Sequence, residues 1–185
     1  MKTIKEIFEN TRQKLWCESF LGFKYIAYKM EWDKVVPNDI AIISINNGKD
    51  AGTVEEYHIC KDAENVLNLN FDDVDPMALG LSDDTETYTY ENGYAKGTTI
   101  EFFTNDMAKR AVKFIEDVIE NNKLNGVDFY IHCSAGISRS QAITKFIHLN
   151  YDRNWELNPR NSDYLFANGM VYQMLCEAHR KLYPR

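Results

Sequence analysis

The chain has 185 residues, 44% of them hydrophobic and 26% charged, with a formal net charge of −7. That length buries a sizeable core, and one domain over 1–185 is expected. The acidic balance argues against a nucleic-acid partner, whose binding needs clustered Lys and Arg. No apolar run nears the ~18 residues of a membrane helix, and the N-terminus lacks the apolar core of a secretion signal, so a cytoplasmic protein with no membrane partner is expected.

In chain order, Ile4, Ile7, Phe8, Thr11 and Leu15 fall at helical spacing and predict an amphipathic N-terminal helix. Phe23 to Met30 and Asp39 to Ile45 read as strands, the second buried on both faces through Ile40-Ala41-Ile42-Ile43. Asn46-Asn47-Gly48-Lys49-Asp50 reads as a turn. Val66 to Phe71 reads as a third strand, with Leu67, Leu69, Phe71 and then Asp73 on one face and Asn68, Asn70 and Asp72 on the other. Residues 85–103 alternate polar and aromatic around Asn92-Gly93, a hairpin signal. That hairpin is either a surface extension or a flap whose Tyr88, Tyr90 or Tyr94 stacks on a substrate ring.

Met107, Ala111, Phe114, Ile115, Val118 and Ile119 predict a helix from about Asn105 to Asn122. Val127 to Ile131 reads as a strand after the turn signal Asn125-Gly126, and Ile143, Phe146 and Ile147 place a helix from Ser140 to Asn150. After Asn158-Pro159, a stripe from Ala167 to Leu182 predicts a last helix. The fold class is therefore α/β: a central, mainly parallel sheet flanked by helices, with an inserted β-hairpin. Cys17, Cys60, Cys133 and Cys176 are widely spaced with no CxxC pair, so neither a disulfide scaffold nor a zinc site is expected, and no metal or cofactor.

Between the last central strand and its helix runs His132-Cys133-Ser134-Ala135-Gly136-Ile137-Ser138-Arg139-Ser140. A helix N-terminus offers unpaired N–H donors and partial positive charge, which together make an anion site. The same field favours a thiolate: a free cysteine titrates near ~8.5, but beside a cation at a helix start it falls to roughly 3.5–7.5. Cys133 is the candidate nucleophile. Arg139 supplies a rigid fork for two phosphate oxygens. Ser134, Ala135, Gly136, Ile137 and Ser138 curl between them with backbone N–H groups turned inward. Gly136 accepts the positive φ of a tight loop. Ser140 is expected to point its hydroxyl at the Cys133 sulfur, and His132 to brace the loop through its imidazole N–H. Cysteine-x5-arginine alone occurs by chance about once in twenty cysteines; the added His, Gly and Ser lower that to the order of 10⁻⁵.

His-Cys-x-x-Gly-x-x-Arg-Ser, met here by His132, Cys133, Gly136, Arg139 and Ser140, resembles the signature of the cysteine-dependent protein tyrosine phosphatases. The likeness is to the compact dual-specificity-type and bacterial or viral members, and its firm part covers Tyr130 to Ile147. The Trp-Pro-Asp loop of the large catalytic domains is absent. The resemblance implies metal-independent hydrolysis of phosphotyrosine through a cysteinyl-phosphate, with phosphoserine and phosphothreonine left open, and a phosphoprotein or phosphopeptide as partner. It also implies one Asp on an upstream loop as general acid. Asp73 is the first candidate, then Asp72 and Asp75, with Asp83 and Asp84 still open. Asp73 lies farther before Cys133 than the acid of the compact members, which makes residues 77–103 an insertion. The alternative is a phosphate-binding module of weak catalytic power.

Overall fold

The computed structural model describes residues 13–32, 34–48, 63–123, 126–151, 154–158 and 163–184. Most of the expected N-terminal helix, and Cys60, lie outside them. The strands are β1 (Gln13–Ser19), β2 (Ile40–Asn46), β3 (Val66–Asn70), β4 (Thr87–Thr89), β5 (Thr99–Glu101), β6 (Asp128–Cys133) and β7 (Trp155–Leu157). The helices are α1 (Phe20–Lys29), α2 (Asn105–Asn121), α3 (Arg139–Asn150) and α4 (Gly169–Leu182).

Five strands form one parallel sheet in the order β3-β2-β6-β1-β7. Every β2 residue after Ile40 is buried, as a strand covered on both faces must be. Successive residues point to opposite sides. Leu15, Ala41, Ile43, Ile45, Phe129 and Ile131 enter the larger core, which α2, α3 and α4 cover. Ile42 and Tyr130 enter a smaller one with Phe23 and Ala27 of α1 and Trp32. The α2 stripe is buried through Ala108, Ala111, Val112, Ile115, Val118 and Ile119, and Thr104 caps it by accepting from Met107 N–H.

Two expectations are corrected. Phe23 to Met30 is not a strand but most of α1, whose buried residues Phe23 and Ala27 stand one turn apart. Ser19 starts that helix by accepting from Gly22 N–H at 3.1 Å. Leu15 is not on a helix either; it lies fully buried in β1, between β6 and β7.

The hairpin expected in 85–103 is present: β4 and β5 pair antiparallel, with Thr87 opposite Glu101. Residues 90–98 connect them, so Asn92-Gly93 is part of a longer loop and not a two-residue turn. Asp72 ties β5 to the main sheet, its N–H donating to Glu101 O at 2.7 Å and its Oδ2 accepting from Glu101 N–H at 3.0 Å. Among the described residues no helix is long and apolar enough to cross a membrane.

Candidate active site

Parallel strands deliver their carboxyl ends to one edge, where ligands of open α/β sheets bind. Here that edge collects Ser19, Asn46, Asn70 and Cys133, each the last residue of its strand. The Cys133 loop leaves β6 there and enters α3. Gly136 turns it at φ 72°, and a Cβ at that position would stand 2.5 Å from Glu18 C and from Ser19 N. Only glycine lets the loop lie against the end of β1.

Cys133 is buried, at 2% exposure. Gly136 N–H donates to it at 3.3 Å, and Ser140 Oγ lies 3.1 Å away. Burial alone would push the thiol up. The Ser140 hydroxyl, the Ser140 N–H, the Arg139 charge and the Gly136 N–H outweigh it, and the thiol is held below its ordinary range. The expected Ser140–sulfur contact is present.

Arg139 is 4% exposed. Its Nη1 donates to Phe71 O at 2.5 Å and Asn46 O at 3.3 Å. Its Nη2 donates to Asn47 Oδ1 at 2.8 Å and Ser134 Oγ at 3.0 Å. Ser134 in turn donates to Asn47 Oδ1 at 3.0 Å. Four acceptors from three loops fix the fork, while its Nε–H is buried without a partner among the described residues. A buried, uncompensated guanidinium N–H is costly and is satisfied by an anion.

The candidate acids separate clearly. Asp73 Oδ1 accepts from Ser138 Oγ at 2.8 Å and from Asn168 Nδ2 at 2.9 Å, so this side chain touches the Cys133 loop. Asp72 is committed to backbone: Oδ1 to Gly48 N–H at 3.2 Å, Oδ2 to Glu101 N–H. Asp75 accepts from Met77 N–H at 2.9 Å and starts the short 3-10 turn Pro76–Leu79. Asp83 and Asp84 are exposed between that turn and β4.

Ser138 occupies the N-cap position of α3, yet its side chain makes no cap bond there, its hydroxyl being used on Asp73. Ala135 and Ile137 expose their side chains beside the loop. His132 does not brace the loop as expected. Both ring nitrogens are buried without a hydrogen-bond partner among the described residues. The ring stacks on Phe23 with centroids 4.3 Å apart. Burial, and then the Arg139 charge, push its pKa down to about 3, so it is a neutral packing group.

Sequence reasoning missed three residues here. Asn47 was read only as part of a turn, although a polar residue just after a parallel strand's carboxyl end is a signal in an α/β fold. Asn168 caps α4 through Val171 N–H at 3.1 Å while its amide holds Asp73. Cys17 donates to Ser140 Oγ at 3.0 Å across 123 residues, a pairing that no local pattern encodes. In comparisons with known proteins, no family model, no curated protein and no solved structure matches this chain.

Proposed function

We propose that this protein hydrolyses phosphate monoesters, with phosphotyrosine of a protein or peptide as substrate, through a cysteinyl-phosphate intermediate. The observation that carries the reading is a hydrogen-bonded, acidified Cys133 sulfur beside a fixed Arg139 fork whose buried Nε–H is unclaimed. In the first step the sulfur forms a bond to phosphorus as the ester P–O bond breaks. Arg139 and inward N–H groups hold the equatorial oxygens, where charge stabilisation counts most. Asp73 delivers a proton to the leaving phenoxide. Its Oδ1 is occupied as an acceptor, so Oδ2 is the oxygen that carries the proton. In the second step Asp73 takes a proton from water, the water oxygen bonds phosphorus, and the sulfur leaves as thiolate towards the Ser140 hydroxyl. The scheme calls for no metal or cofactor. A nucleophilic thiol needs a reducing compartment, which supports a cytoplasmic location.

The test is turnover of a generic aryl phosphate in the presence of EDTA. Activity is expected to persist with chelator, vanish in Cys133→Ser, and fall about 10²-fold or more in Arg139→Lys, which loses both the free Nε–H and the four bonds that fix the guanidinium. Full activity in Cys133→Ser overturns the proposal. One observation favours a second reading, a phosphotyrosine-binding module of low turnover: two donors tie Asp73 Oδ1. Asp73→Asn decides between them. A working acid makes that variant about 10²-fold slower on a poor leaving group and nearly unchanged on a good one. No difference on either points to the binding module.

A further inference from the structure

The Ser140 hydroxyl lies between two sulfurs, 3.0 Å from Cys17 Sγ on β1 and 3.1 Å from Cys133 Sγ on β6. An ionised Cys133 can only accept, so the Ser140 O–H must donate to it. The oxygen then presents its lone pairs to Cys17, whose S–H donates. We propose that Cys17 is a positioning residue: as donor to Ser140 Oγ it aims the Ser140 proton at the Cys133 sulfur and so holds that sulfur as thiolate. This rests on the reading of Cys133 as nucleophile.

The direction of this relay is built into the fold. Cys17 is 1% exposed. Burial first, opposed by the Ser140 hydrogen bond and reinforced by the nearby Cys133, pushes its thiol up to about 12, so Cys17 remains a donor throughout the working range. Its Sγ also lies 3.4 Å from Gly136 O, inside the same loop. Thr144 secures the other side of Ser140, its hydroxyl donating to Ser140 O at 2.8 Å one turn along α3. The titratable and charged groups around this pair are Arg139 on α3, Glu18 beside Cys17 on β1, His132 before Cys133 on β6, Asp73 against Ser138, and Tyr164, whose ionisation burial first and then Cys17 oppose. Of these, Arg139 favours the Cys133 anion directly; Cys17 acts on it through one shared hydroxyl. A hydroxyl that accepts from Cys17 while donating to Cys133 is polarised, and such chains strengthen each link.

The experiment reads the Cys133 thiolate without any substrate. The rate of Cys133 alkylation by iodoacetamide is followed against pH by peptide mass spectrometry, which separates it from the other cysteines. Cys17→Ala and the better-filling Cys17→Val are expected to slow alkylation about threefold on the acid side and to move the profile to higher pH, the loss of one modest hydrogen bond. Cys17→Ser, which keeps a donor, is expected to restore the wild-type profile. In a Ser140→Ala background, Cys17→Val is expected to change nothing further, because its route to the sulfur is gone. An unchanged profile in folded Cys17→Ala or Cys17→Val overturns the proposal. So does an equal shift with and without Ser140. Failure of aryl-phosphate turnover alone, with the alkylation shift intact, sinks the phosphatase reading and leaves the Cys17 role standing.

Discussion

At the residue scale, the charge state of His132 sets how the molecule responds to acid. The folded ring titrates at about 3 against 6.5 when free, because burial and Arg139 oppose its cation. Unfolding releases a ring that gains a proton below 6.5. Stability present above that value is therefore lost as pH falls through 6.5 towards about 3. Between pH 7 and pH 5 this one group removes about 2 kcal/mol. Urea midpoints of wild type and His132→Phe should accordingly diverge on acidification, the variant losing less. Parallel curves would contradict the account. The sequence motif placed His132 beside Cys133 but did not reveal its role. Bracing needs a partner at a ring nitrogen, and Phe20 and Phe23, which face the ring, offer only carbon faces.

At the scale of elements, the loop and the strand it touches behave as one unit. Gly136→Ala forces a Cβ into the backbone of Glu18 and Ser19 in a region of positive φ. The expected cost is roughly 1–3 kcal/mol by thermal unfolding, with loss of aryl-phosphate turnover larger than the stability change explains. β2, β3, β6, α2 and the loop itself were legible because each carries its own period: a doubly buried run, an alternation, a helical stripe, a fixed motif. α1 was not. Leu21, Tyr25, Tyr28 and Met30 are exposed, and they erase the contrast between its faces, leaving Phe23 and Ala27 as the only buried pair. β1 was hidden for the opposite reason: the helical spacing of Ile4 to Thr11 extended onto Leu15, although Leu15 and Cys17 are buried with Trp16 partly exposed between them, the alternation of a strand. Asp73 was legible as a direction along β3, whereas its partners Ser138 and Asn168 come from distant turns that only tertiary structure joins.

Across the whole molecule, the end remote from the site is held by one acidic group shared between helices. Glu116 on α2 accepts from Tyr151 Oη at 2.8 Å, just past α3, and lies 3.0 Å from His179 Nε2 on α4. Tyr151→Phe should lower the urea midpoint by the equivalent of about 1 kcal/mol and leave aryl-phosphate kcat unchanged, because the contact fastens helices without reaching the loop. Global architecture followed from composition and period, but strand order did not, since nothing local says which strands sit side by side. That order has a temporal consequence. β6 lies between β2 and β1, pairing Leu15 with Phe129, so the strand that carries the sulfur is translated long after both of its neighbours. A nascent chain emerging from the ribosome holds its first strand without a neighbour until most of the polypeptide has been made, and folding of such sequence-distant pairs is slow. The Cys133 loop thus takes its place against β1 only after the chain has been made past position 133, when Ser19 meets Cys133 across the sheet.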